Sequence, residues 1–285
     1  MKGDPAIVSD NVRALGYRTR RITQTPRTFS NWLPVLVDMA RERVGRGSPT
    51  LTFSTRSGLR IDCPNRPGAR VPIYEIFAED CYRLDWFLGP LRQRPVQVID
   101  IGGHVGTFSC RLAQLHPGAS IMAFEPSPTS AQFLRRNVEQ NGFGERVTVF
   151  EQALAATSGF AVFDDNGAGS GLNGLVSAGH ASGAGTATKV ETVAFDDAVA
   201  TAPAPVTVVK IDCEGGEYDL VLGSSPTSWS TVQRVVIEYH PVDGHTWLEL
   251  RDWFERCGLH VSAEKSSNGY GCVWLSRETL APESH

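Results

Sequence analysis

Asp100, Gly102, Gly103 and Gly106 stand in the stretch VQVIDIGGHVGTFSC, between an apolar strand-like run and a helical one. Glycines at the carboxyl end of a strand let a ligand approach the backbone closely, and the helix start beyond them favours a carboxylate. An acid at the strand end can meet an ammonium, so the turn suits a ligand with a zwitterionic amino-acid tail and no diphosphate. Glu125 ends the run IMAFE, 25 residues beyond Asp100. An acid at that place can accept hydrogen bonds from both hydroxyls of a ribose. The competing reading is an exposed strand-end charge, and the glycine turn upstream favours the ribose. The end of the next run, FEQAL, puts Gln152 or Ala153 near where an adenine would lie.

Two more strand ends carry acids and bases. Lys210, Asp212 and Glu214 alternate along VVKIDCEG, so all three can face one side. Burying that many charges is costly unless they pair or face a pocket; the competing reading is a Lys210 to acid ion pair that only organises the strand end. Glu238 and His240 close VVIEYH at positions i and i+2. A neutral imidazole near pH 7 is suited to take a hydroxyl proton, and a neighbouring carboxylate can orient it. His240 is therefore the first candidate base and Asp212 the second. Glu214, Glu238, Asp212 and His240 also have the spacing to ligate a divalent metal, which the sequence permits without requiring. His245, Tyr74 and Glu75 are weaker candidates, since loop histidines and helix-borne aromatics more often serve surface and core.

The elements that position these residues fall into two regions. In residues 1–92, SNWLPVLVDMARERVGR reads as a helix capped by Ser30 or Asn31, LTFSTRSGLRIDC as a hairpin, and IYEIFAEDCYRLDWFLGP as one amphipathic helix stopped by Gly89 and Pro90. Arg18, Arg20, Arg21 and Arg27 read as a solvated arm ahead of this α+β cap. From residue 93 to 285 strands alternate with helices, which implies right-handed crossovers and a parallel sheet. VQVIDI, SIMAFEP, VTVFEQAL, VTVVKIDCEG and QRVVIEYHP supply five strands. A terminal hairpin about Asn268 and Gly269 supplies two more. That is the sequence order of a seven-stranded sheet with a C-terminal antiparallel hairpin. The small-residue tract from Asn166 to Thr186 reads as a mobile loop or loose hairpin, a candidate lid that with the cap would select the acceptor.

Several classes are excluded or disfavoured. Aligning G-x-G-x-x-G on Gly103 and Gly106 puts Ile101 at the first glycine, so the nicotinamide fingerprint fails. No Walker loop, zincin or EF-hand motif is present. The 285 residues are 41% apolar and 20% charged with a formal net charge of -4, which gives no basic excess for a nucleic acid. The N-terminus lacks a signal-peptide core and no run is long enough to span a membrane, so a cytoplasmic protein with no membrane partner is expected. Six scattered cysteines read as reduced thiols.

The stretches VIDIGGHVGTFS, AFEPSPTSAQFLRRNVEQNG, VVKIDCEGGEYDLVLG and VVIEYH resemble the FkbM-type S-adenosylmethionine-dependent methyltransferases, from about Ile73 to Trp274. The resemblance implies the class I methyltransferase (Rossmann-like) fold, S-adenosylmethionine as donor, and a hydroxylated small-molecule acceptor, a natural product or sugar moiety. His104 replaces the family's Asn in the turn, and Ala194, Phe195 and Asp196 replace its Thr-Leu-Asp. The rival reading is a methyltransferase-like domain that binds a nucleoside or a partner without turnover, against which the retained Asp100, Glu125, Asp212 and His240 speak.

Overall fold

The computed structural model describes residues 20–165, 174–175, 186–267 and 269–280. The chain forms two compact units, one up to Cys81 and one from Tyr82 onward.

In the first unit, residues 20–28 form helix α1, followed by α2 (Trp32–Glu42), strands β1 (Thr50–Ser54) and β2 (Arg60–Pro64), and α3 (Pro67–Phe77). The expected hairpin pairs Thr50 with Pro64 through Ser54 with Arg60. Asn31 precedes α2 without capping it, because its side chain is committed to β1: Nδ2 donates to the Thr52 carbonyl and Oδ1 accepts from the Ser54 N–H. The arginine-rich stretch is solvated at Arg20 and Arg27, which are exposed, but not at Arg21. Arg21 is buried, pairs with Glu79 at 2.6 Å and lies over the Tyr74 ring, which packs edge-on against Phe29 and Phe53. Arg18 lies outside the described residues.

The single helix expected from Ile73 to Pro90 is two helices. α3 stops at Phe77, Asp80 and Arg83 adopt left-handed backbone at φ 45° and 48°, and α4 (Leu84–Leu88) begins anew. The unit boundary falls inside this break.

The second unit is built on the seven-stranded sheet expected. Its strands are β3 (Val96–Ile101), β4 (Ala119–Phe124), β5 (Val147–Phe150), β10 (Val206–Ile211), β11 (Arg234–Tyr239), β12 (His260–Ser267) and β13 (Tyr270–Ser276). The spatial order is β12-β13-β11-β10-β3-β4-β5. Five strands are parallel, and β13 runs antiparallel to both β11 and β12. The interleaved helices are α5 (Thr107–Leu115), α6 (Pro128–Gln140), α7 (Phe195–Thr201), α8 (Glu217–Gly223) and α9 (Trp247–Arg256). Every residue of β3 is buried, as a central parallel strand requires. The chain leaves β3 toward β4 and β5, then returns to lay β10 on the other side of β3. This reversal opens the crevice at the carboxyl ends where such sheets bind ligands.

Alternation divides the sheet residues between two faces. Ile99, Ile101, Val209, Ile211, Val235 and Ile237 join one core cluster with Leu220, Leu250, Phe254 and Trp229. Asp100, Lys210 and Glu238 project to the opposite face.

The stretch VTVFEQAL is not one strand. It breaks after Phe150, and Ala153–Ala155 form β6 in a second sheet of order β6-β9-β7-β8, with β7 at Gly159–Asp165, β8 at Gly174–Leu175 and β9 at Thr186–Ala194. Strands β7 and β9 pair antiparallel from Gly159 with Thr192 to Asp165 with Thr186, flanking the glycine-rich tract. Apart from Gly174, Leu175 and Thr186, the tract called a lid lies outside the described residues, as does Asn268.

Candidate active site

The turn after β3 is folded against its two neighbours. The N–H groups of Gly102 and Gly103 donate to the Phe124 carbonyl at 3.0 and 2.9 Å, which ties the turn to the end of β4. Gly102 has φ 77°, and a Cβ there would overlap the Asp212 carbonyl oxygen, so this position requires glycine twice over. Gly103 and Gly106 pack against Leu134 of α6. His104, in the same turn, takes left-handed backbone at φ 49° and is half-buried.

Glu125 receives this turn. Its Oε2 accepts from the His104 N–H at 2.7 Å and its Oε1 from the Ser127 N–H at 2.9 Å. Each carboxylate oxygen keeps a second acceptor site, so two ribose hydroxyls can still be met. Burial pushes the Glu125 carboxyl up to about 7, against the pull of the two N–H groups and Lys210. Beyond the end of β5, Gln152 is half-exposed and Ala153 is buried at the start of β6, while Phe150 stacks on Phe124 at 4.7 Å.

Asp100 and Lys210 form the buried floor. Asp100 is fully buried, accepts from Ser109 Oγ at 2.6 Å and lies 3.4 Å from Lys210 Nζ. Lys210 also donates to the carbonyls of Ile101 and Gly102 at 3.1 and 2.7 Å and lies 3.6 Å from Asp212. Burial works against the Lys210 charge, but Asp100, Asp212 and Glu238 outweigh it and hold the ammonium above the usual lysine range. The Asp100 carboxylate, expected to meet a ligand's ammonium, thus already has Lys210 and Ser109 beside it, while its Oδ1 accepts no hydrogen bond among the described residues. Lys210 thus has four oxygens around it, from both the β3 and the β10 strand ends.

Asp212 is more accessible than Asp100, its side chain 26% exposed, and it accepts from Tyr82 Oη at 3.1 Å. Tyr82 packs edge-on against Phe108 of α5. Glu214 does not continue the strand alternation. It stands in a left-handed turn at φ 52°, with its carboxylate 3.4 Å from His240 Nε2.

His240 is oriented by a carboxylate that the sequence patterns did not single out. Its Nδ1 lies 2.9 Å from Glu217 Oε1, and Glu217 is fully buried in the first turn of α8. Glu238, the expected partner, instead joins Asp212 and His240 in a cluster whose ligand-type atoms all lie within 4.8 Å of one another. Burial alone would lower the His240 pKa, but the hydrogen bond and charge of Glu217, with Glu214 and Asp212, raise it to about 9. The raised value favours the protonated ring near neutral pH, so the neutral ring that can take a proton gains population as pH rises. Burial and Asp212 push the Glu214 carboxyl up to about 8, against the pull of His240.

The weaker candidates have other partners. His245 stacks on Tyr218 at 4.8 Å and lies 3.3 Å from Glu249, while Tyr74 belongs to the core of the N-terminal unit, where Glu75 is half-buried.

A parallel sheet reversing beside β3, a glycine turn at that strand's carboxyl end and an acid at the end of the next define a class I methyltransferase, Rossmann-like in its crevice. Residues 100–261 match the family model described as the methyltransferase FkbM domain, more than half of the chain. The protein belongs to this family of S-adenosylmethionine-dependent methyltransferases.

Among curated relatives, the chain is 28% identical over 221 residues to the 31-O-demethyl-FK506 methyltransferase FkbM of Streptomyces tacrolimicus, covering 68% of this chain and 83% of that one. It is 24% identical over 213 residues to Methyltransferase 1 of Beauveria bassiana, covering 67% and 81%. Among solved structures it is similar to a SAM-dependent methyltransferase from Agrobacterium tumefaciens, with TM-score 0.48, 9% identity and coverage of 81% and 71%. No described helix is long and apolar enough to cross a membrane.

Proposed function

We propose that the protein transfers a methyl group from S-adenosylmethionine to a hydroxyl of a small molecule, a natural product or sugar moiety, with His240 as the base. One observation carries this reading: His240, Asp212 and Glu238 converge at the ends of β10 and β11, beside the turn that the donor's amino-acid tail would occupy. The name of the Streptomyces relative, an O-demethyl-compound methyltransferase, supports a hydroxyl on a natural product.

The donor supplies an activated methyl on a sulfonium. The protein therefore has three tasks: alignment, exclusion of water, and removal of the hydroxyl proton, the last worth about 10²- to 10⁴-fold. Glu125 accepts the ribose hydroxyls, the 102–106 turn presents its backbone to the amino-acid tail, and Gln152 and Ala153 border the adenine. Lys210 and Asp100 keep the two strand ends in register beneath them. His240 Nε2 accepts the hydroxyl proton in the neutral form of the ring, after its own proton has left to solvent and Nε2 has turned from Glu214 to the hydroxyl, and Asp212 is the second candidate for that role.

The test is transfer of labelled methyl from S-adenosylmethionine to a panel of hydroxylated metabolites and sugars, with His240→Ala beside the wild type. Turnover lost in the variant with donor binding intact supports the assignment. Full turnover in the variant at neutral pH would remove His240 from it.

The 4.8 Å cluster of Asp212, Glu238 and His240 favours a second reading, in which a divalent cation held there lowers the pKa of the hydroxyl. Activity lost in chelator and restored by magnesium supports that reading; indifference to chelator refutes it.

A further inference from the structure

We infer that Glu217 is the positioning residue that fixes the tautomer and direction of the His240 ring, an inference that rests on His240 being the base. Glu217 follows a turn in which Glu214 and Gly215 both adopt positive φ, 52° and 97°. That turn brings a fully buried carboxylate back under the end of β11. Its Oε1 gathers three N–H groups, the backbone amides of Cys213 and Gly215 at 3.2 Å each and His240 Nδ1 at 2.9 Å.

A carboxylate is an acceptor only, so His240 Nδ1 carries the hydrogen in this bond. When the ring is neutral, Nε2 is then the bare nitrogen, and it points to the side of the ring where Glu214 lies 3.4 Å away. Without such a partner an imidazole has no fixed tautomer and no fixed edge toward substrate. The same residue ties the turn that carries Asp212 and Glu214 to the strand end that carries His240. The geometry of base and neighbouring acids therefore depends on one side chain.

Burial argues that the charge matters as well as the shape. Glu217 Oε2 is buried without a hydrogen-bond partner among the described residues, an arrangement that is costly for a carboxylate. Two backbone amides need only a neutral acceptor, which an amide side chain would supply. A negative charge at this place acts when His240 gains a proton during transfer, as the buried acid of a Ser-His-Asp arrangement acts on its histidine.

Glu217→Gln separates these roles, because it keeps the side-chain shape and one acceptor oxygen and loses the charge. The expected result is a kcat about 10- to 100-fold lower, with KM for donor and acceptor within about threefold of wild type. In a His240→Gln background the same substitution should cost nothing further, because Glu217 acts through that ring. An equal loss in both backgrounds, or an unchanged kcat, overturns the inference. If the Gln variant does not fold, Glu217→Asp, which keeps the charge but draws it back from Nδ1, takes its place in the cycle. The tautomer is read separately by ¹⁵N NMR of histidine-labelled, ligand-free protein, where Nδ1 should be protonated throughout. A neutral His240 protonated on Nε2 would overturn the orientation. That reading stands or falls even if His240→Gln retains turnover and the base assignment fails.

Discussion

The role proposed for Glu125 as the ribose acid makes donor binding depend on pH in a calculable way. A carboxylate that receives two ribose hydroxyls must be ionised, and burial holds this carboxyl at about 7 in the ligand-free protein. Its ionised fraction is then about one tenth at pH 6 and about nine tenths at pH 8, so affinity for S-adenosylhomocysteine falls about tenfold, or about 1.4 kcal/mol, as pH drops through that interval. The sign follows from the raised value, since the competent form is the deprotonated one and is lost on the acid side of about 7. Glu125→Gln removes the titration and flattens the profile. It also places an amide NH₂ against either the His104 or the Ser127 N–H, because each oxygen of the native carboxylate already accepts from one of them. One buried donor is orphaned, at about 1–3 kcal/mol of stability, and the charge-assisted ribose bonds weaken by about 1.5–3 kcal/mol, a further 10- to 100-fold in affinity. Calorimetric titration of both proteins from pH 6 to 8, with urea unfolding beside it, measures all of these quantities. An affinity for S-adenosylhomocysteine that is flat across that range in the wild type, or unchanged in Glu125→Gln, would refute the reasoning.

Three further outcomes are expected. With His240 raised to about 9, kcat/KM should climb with pH by about tenfold per unit below that value, because the proton-accepting ring is the neutral one; a profile flat from pH 7 to 9 would remove His240 as base. Lys210→Met should destabilise the protein by about 3–5 kcal/mol in urea unfolding, since it leaves Asp100 as an unpaired buried charge, and adding Asp100→Asn should recover part of the loss. Gly102→Ala and Gly142→Ala both force alanine into positive φ, at 77° and 73°, but only Gly102 faces another backbone; Gly142→Ala should cost about 1–2 kcal/mol and Gly102→Ala clearly more, with donor affinity lost as well. Equal costs at the two glycines would show that the approach to Asp212 carries no weight.

What the sequence disclosed depends on how far apart the interacting residues lie along the chain. The seven sheet strands could be read locally: VQVIDI and VTVVKI are apolar runs of strand length, and the turns around them carry glycine. Asp100, Glu125, Asp212 and His240 stand out as candidates in the sequence because each lies at the end of such a run. The N-terminal helix break was hidden, because left-handed backbone at Asp80 and Arg83 leaves the apolar spacing intact and involves no glycine. The second sheet was hidden for a different reason. Its strands pair across the glycine-rich tract, and the outward Phe160 and Val162 are 68% and 48% exposed, so no pattern of burial betrays them.

The strand-end pattern also predicts side-chain direction only while the strand continues. Lys210 and Asp100 are cross-strand neighbours and meet as the alternation requires. Asp212 lies just past the end of β10, and at Glu214 the backbone has turned left-handed, so the carboxylate reaches His240 rather than extending the line of Lys210 and Asp212. Glu217 escaped notice because its partner lies 23 residues away on another strand, although one local signal existed. Glu217, Leu220 and Val221 fall at i, i+3 and i+4, so a carboxylate occupies the buried face of α8. An acid on the apolar stripe of a short helix needs a donor inside the protein, and the backbone turn before it supplies only two. The third had to come from elsewhere in the fold, and a histidine at the end of the adjacent strand is the group that both satisfies the charge and puts it to use.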